Sequence, residues 1–412
     1  MQDFKKISDY IKTKEAEDEA VSLETLLTSI PAMAPESDGD GEEEKAKALE
    51  KHLVSLGFPS PQYFYAPDER VKTKRRPNML FTLKGKKEEA LWIISHLDVV
   101  PPGEASLWKS DPWKVVREGD RIIGRGVEDD QQGLTSSVIA ALPFIKFGIT
   151  PEYTIKLLFV ADEEVGSKYG VCYLLKEHNL FKKSDLILVP DGGDPKGETI
   201  EIAEKTTIWF KFKTKGLQTH ASMPDSGNNA FVAASDLVLH LNALQKVFNK
   251  KDPLFEPDYS TFQPTKKEAN VPNINTIPGE DVFYMDARVL PLYKPEEVVE
   301  AVKKECREVE NKYNVKIEVS YDDIEYSPQT PKDAKIVTEL TEALKKIRGA
   351  KARIIGIGGG TVAAPLRLKG FDAAIWSTLD DMAHQPNEYA IVKNIIDDAV
   401  IMAALMFGTS NI

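Results

Sequence analysis

Short, almost wholly apolar runs alternate along this chain with longer amphipathic stretches, the first sized for strands and the second for helices. Runs at 90–94, 155–160, 186–189 and 373–376 are too apolar to have one wet face, so they predict strands buried on both sides. Strands of that kind, separated by helical stretches, predict an α/β fold with a mostly parallel sheet. Residues 133–142 predict a helix with Asp130 as its N-terminal cap, which puts Asp129 at a loop-to-helix entry.

From about Thr206 the pattern changes. Residues 207–213 alternate as a half-exposed strand, and a helix is expected from Phe231 to Val247. A strand over 281–289, a helix from Pro295 to Tyr313 and a strand over 315–320 follow. That order is β-α-β-β-α-β with one strand unseen, which predicts a small α+β, ferredoxin-like sheet with its helices on one face. The Pro-rich polar stretch from Lys250 to Pro272 reads as a loop or hairpin. The first pattern resumes near Ser327, so the second unit is an insertion. The expected division is 1–205 with 323–412 as one domain and 206–322 as the other.

A length of 412 residues suits two domains, and 42% hydrophobic with 29% charged residues describes an ordinary globular chain. Neither end carries an apolar run long enough to cross a bilayer, and the start lacks a secretory signal, so a cytoplasmic address is expected with no membrane partner. A net charge of -12 argues against nucleic acid as a partner. The basic run Lys72 to Arg76 reads as a solvated loop.

Histidines and carboxylates follow the strand-like runs. His96, Asp129, Glu164, Asp191 and His384 supply two imidazoles and three carboxylates, a donor set for zinc or a similar divalent ion. Five ligands exceed one tetrahedral site; with one carboxylate bridging, they would hold two ions roughly 3.5–4 Å apart. Glu163, adjacent to Glu164 and pointing elsewhere, is the candidate general base. Asp98, two residues beyond His96, is placed to accept the imidazole N–H and fix its tautomer. His52, His178 and His240 lie in helical, polar-flanked contexts and read as structural. The run Gly356 to Thr361 lacks the final glycine of a dinucleotide fingerprint; its backbone N–H groups could instead hold a carboxylate, or form a plain turn.

Together His96-Leu97-Asp98, Gly124-Arg125-Gly126 with Asp129, Glu163-Glu164, Asp191, Gly216 to His220, and His384 resemble the M20 family of metallopeptidases and amidohydrolases. That family includes succinyl-diaminopimelate desuccinylase, acetylornithine deacetylase, aminoacylase-1, carboxypeptidase G and several dipeptidases. The resemblance implies that Asp129 bridges two zinc ions, cobalt or manganese being the other options, with His96 and Asp191 completing one site and Glu164 and His384 the other. It implies that Glu163 activates the water between them, and that the insertion acts as a lid and forms a homodimer. By the same resemblance, His220 stabilises the oxyanion in the partner subunit's site. Asn275, Arg288, Gly359, Gly360 and Thr361 match positions holding a substrate's terminal carboxylate, and the Asp129-Asp130 peptide is expected to be cis. Gln131 departs from relatives with lysine there, which bears on substrate preference. The expected activity is hydrolysis of an amide bond in small N-acyl-amino acids or short peptides. A co-catalytic zinc aminopeptidase and a non-catalytic, metal-bound peptide-binding protein are the alternatives.

Overall fold

The four apolar runs are strands at the middle of one large sheet, and the seven side chains of the first, Ala90–His96, are all buried. In this computed structural model, which describes residues 2–321, 324 and 326–412, the strands of the two larger sheets are, in chain order, β1 (Gln62–Pro67), β2 (Arg75–Leu83), β3 (Ala90–His96), β4 (Thr154–Val160), β5 (Leu186–Gly193), β6 (Thr199–Glu204), β7 (Thr206–Lys215), β8 (Thr261–Lys267), β9 (Glu280–Val289), β10 (Lys316–Tyr321), β11 (Arg353–Ile357) and β12 (Ala373–Ser377). The large sheet has the order β1-β2-β4-β3-β5-β12-β6-β11. Its four central strands, β4, β3, β5 and β12, run parallel, while β1 pairs antiparallel with β2, β2 with β4, and β6 with β12. The fold is α/β.

The chain divides into two compact units: Met1–Ile202 with Thr330–Ile355 and Thr361–Ile412, and Ala203–Gln329 with Gly356–Gly360. The expected boundary at 322/323 lies outside the described residues. In the first unit, helix Gln131–Phe147 packs against β3 and against the C-terminal helix Val392–Phe407. Both helices are apolar around most of their circumference and bury most of their residues, as helices inside a layered α/β unit do.

The second unit holds a four-stranded antiparallel sheet of order β8-β9-β7-β10. Ile208, Phe210 and Phe212 of β7 and Phe283, Met285 and Ala287 of β9 turn to one face, where Leu237, Leu241, Val298 and Val302 of two helices meet them. Trp209 lies on the other face and is 56% exposed. The expected βαββαβ order is present, and its unseen strand is β8, inside the stretch read as a loop or hairpin. β8 is an edge strand that buries Phe262 alone and carries Pro264 at a register shift, so it lacks the alternation that marks a strand. The helix expected from Phe231 to Val247 runs from Ala230 to Asn242 and tightens into a 3-10 turn.

Candidate metal centre

Each of the four parallel strands delivers a candidate ligand at or beyond its carboxyl end, the edge at which open α/β sheets bind ligands. His96 ends β3, Asp191 lies in the last turnward residues of β5, Glu163 and Glu164 open the 3-10 turn after β4, and His384 sits in the loop after β12. Asp129 immediately precedes the helix entry at Asp130.

These groups converge. One oxygen of Asp129 lies 3.0 Å from His96 Nε2 and the other 3.2 Å from His384 Nε2. His384 Nε2 is also 3.0 Å from Glu164 Oε2. His96, Glu163 and Asp191 form one group of donor atoms lying within 4.8 Å of one another, and His96, Asp129 and Glu164 form a second. Burial and the neighbouring negative charges hold the Asp191 and Glu163 carboxyls well above their usual range, and Glu164 is raised for the same reasons. Burial alone would lower the His96 imidazole, but the Asp129 and Asp98 carboxylates outweigh it and hold it well above the ordinary histidine range. Hydrogen bonds to Asp129 and Glu164 raise His384 to about 10. Half-buried carboxylates that repel one another around two imidazoles form a donor set that divalent cations would fit.

The supporting contacts explain how irregular backbone holds these groups. The Asp98 carboxylate accepts the N–H of Glu163 at 3.0 Å and of Glu164 at 3.1 Å, orienting both acids. Against His96 Nδ1 its Oδ1 is at 3.6 Å, while its backbone carbonyl is at 3.0 Å, so the residue addresses the imidazole chiefly through its main chain. Asp130 stands at the helix entry, yet its side chain makes no cap; it accepts the His96 N–H at 3.2 Å instead. Before Glu163, Asp162 has φ 68° and is tied to the buried Arg76, which also binds Glu42 and Asp68. The Asp129-Asp130 peptide is cis. Glu128 and Glu388, both buried, bind backbone N–H groups of the His384 and Asp129 loops and were not singled out from the sequence. In sequence Glu128 directly precedes Asp129 and Glu388 lies four residues beyond His384.

In the second unit, Thr219–His220 pairs with Thr276–Ile277, which sets His220 against Thr276 and lets Ala221 N–H donate to Asn275 O at 2.9 Å. His220 is exposed, with Nδ1 2.8 Å from Ser222 Oγ. Arg288 donates to Asp286, to Thr207 Oγ1 at 3.0 Å and to Gly358 O at 2.7 Å, so it braces the glycine loop that continues through Gly359 and Gly360. Thr361 belongs to the first unit. A Cβ added at Gly358 or Gly359 would meet nothing within 4 Å, so neither glycine is demanded by packing. Of the histidines read as structural, His52 Nε2 lies 2.5 Å from Glu19 Oε1 and His240 Nδ1 lies 2.7 Å from Glu305 Oε2.

The chain belongs to the peptidase family M20/M25/M40, which it matches over residues 92–407, and is a metal-dependent hydrolase. It is 39% identical over 405 residues to an uncharacterized metallohydrolase of Methanocaldococcus jannaschii, covering 94% of this chain and 99% of that one. It is 26% identical over 377 residues to the succinyl-diaminopimelate desuccinylase of Rickettsia bellii, covering 90% and 91%. Among solved structures, human carnosine dipeptidase 1 superposes with a TM-score of 0.77 at 17% identity, covering 99% of each chain, a likeness of fold. Among the described residues no helix is long and apolar enough to cross a membrane.

Proposed function

We propose that this protein hydrolyses the amide bond of a small N-acyl-amino acid or short peptide bearing a free carboxylate. The observation that carries the reading is Asp129, whose two oxygens face two different histidines as a bridging carboxylate's would. His96 and Asp191 would hold one divalent ion, Glu164 and His384 the other, with Asp129 shared; zinc suits the donors, and cobalt or manganese would also fit. Bound there, the pair supplies polarisation of the scissile carbonyl and a water whose pKa is lowered towards ~7. Glu163 would serve as general base towards the attacking water and then as general acid towards the leaving amine. The strand end at His96 and the Asp98 brace keep Glu163 in place. His220 donates to the developing oxyanion, and Asn275, Arg288, Gly359, Gly360 and Thr361 receive the substrate's carboxylate. A homodimer through the inserted unit belongs to the same reading.

The test is a hydrolysis panel of dipeptides, N-acetyl and N-succinyl amino acids, each as free acid and C-terminal amide, with zinc, cobalt and manganese. Free acids are expected to be cleaved and their amides spared. Cleavage confined to substrates with a free amino terminus, whatever the state of the carboxylate, would identify an aminopeptidase instead.

A further inference from the structure

His384 is the most exposed of the candidate ligands described here: its side chain is 58% exposed, against 1% for His96. The loop that carries it is irregular, and three of its non-glycine residues, Asp381, His384 and Asn387, have φ near +60°. Residues other than glycine keep that conformation where their surroundings impose it. One buried carboxylate holds this backbone on either side of Asp381, and a second reaches back from the loop's far end to the loop of Asp129. Glu128, from the loop of Asp129, accepts the N–H of Asp380 at 2.7 Å through one oxygen and that of Met382 through the other. Glu388, from the far end of the His384 loop, accepts the N–H groups of Glu128 at 2.9 Å and Asp129 at 3.2 Å through Oε1. Its Oε2 takes the Gly126 N–H at 2.9 Å and Arg125 Nη1 at 2.6 Å. Each loop thus holds the other's backbone through a carboxylate that the other could not supply for itself.

We infer that Glu128 and Glu388 form a reciprocal clasp that sets His384 opposite Asp129, and that they are positioning residues for the half of the centre made by Asp129, Glu164 and His384. The inference rests on the two-ion reading proposed above. His96 is held independently of this clasp: it ends β3 in register with Val160 of β4, and its N–H goes to Asp130. Loosening the clasp at Glu128, whose contacts are to the His384 loop, therefore acts unequally on the two halves, which a general loss of stability would not do.

Glu128→Gln is the variant of choice: it keeps the shape of the side chain, sets an N–H₂ against one of the two backbone donors, and leaves the Glu388 contacts in place. Metal-free wild type and variant are titrated calorimetrically with Co²⁺. Wild type is expected to take up two ions; the variant should bind the first within about 3-fold of wild type and the second about 10- to 100-fold more weakly. Equal weakening of both ions, or an unchanged second affinity, would overturn the clasp while leaving the two-ion reading intact. Fewer than two ions on wild type would overturn that reading and the clasp with it. Amide exchange in metal-free wild type tests the clasp whether or not the variant folds. The N–H groups of Asp380 and Met382 are expected to exchange at least about 100-fold more slowly than in an unstructured peptide. Exchange at the unstructured rate would overturn it.

Discussion

Asp129 turns Oδ2 to His384 Nε2 at 3.2 Å while its other oxygen stays 3.0 Å from His96, so a single carboxylate addresses imidazoles from opposite ends of the catalytic unit. Asp129→Ala removes the one group proposed to be shared by both ions. Affinity for both is expected to fall at least about 100-fold, measured as metal content after dialysis against a metal buffer. A variant that retained two ions would show that the bridge lies elsewhere.

Glu163 has the complementary signature. As the proposed base it contributes a proton path and no ligand, so Glu163→Ala should lower turnover about 100- to 10,000-fold while two ions remain bound. The check pairs steady-state rates with metal analysis on the same preparation. Activity near wild type would remove Glu163 from the mechanism.

Arg288 separates recognition from chemistry. It braces the glycine loop through Gly358 O and is proposed to serve the substrate's carboxylate. Arg288→Met is expected to raise KM for a free-acid substrate about 10-fold or more, the loss of one charge-assisted hydrogen bond, with a smaller change in kcat. If Gly359→Ala, which meets no neighbour within 4 Å, folds normally and also raises KM, the loop itself is the carboxylate seat.

Lys45 predicts a pH dependence of stability. Its amine is buried, and burial lowers it to about 8 against the pull of the Asp98, Glu42, Glu24 and Glu388 carboxylates. Between about pH 8 and the ordinary lysine value, the unfolded chain holds a proton that the folded one has released, so stability from this group rises with pH and is lost as pH falls through 8. Urea unfolding at pH 7.5 and 10 should show wild type gaining roughly 2 kcal/mol relative to Lys45→Met. A difference that stays flat with pH would mean that Lys45 titrates normally in the fold.

Much of the catalytic unit was legible because strands buried on both faces leave continuous apolar runs, and because the groups brought together follow those runs directly. β8 was illegible for the converse reason: an edge strand with one buried side chain resembles a loop. Asp130 was read as a cap because capping and bracing use the same residue type at the same place, and spacing does not say which N–H a carboxylate meets. Glu128 and Glu388 escaped for a related reason. Apart from Arg125, which pairs with Glu388, their partners are main-chain N–H groups, which almost every residue owns, so no side-chain pattern announces them.

The insertion of Ala203–Gln329 between the β5 aspartate and the loop of His384 has a consequence for synthesis. A ribosome delivers His96, Asp129, Glu164 and Asp191, then the whole inserted unit, and only then the last imidazole. The central strand β12 and the last imidazole thus come from the same late segment, so neither the sheet nor the ligand set can be complete before the chain has passed through the insertion.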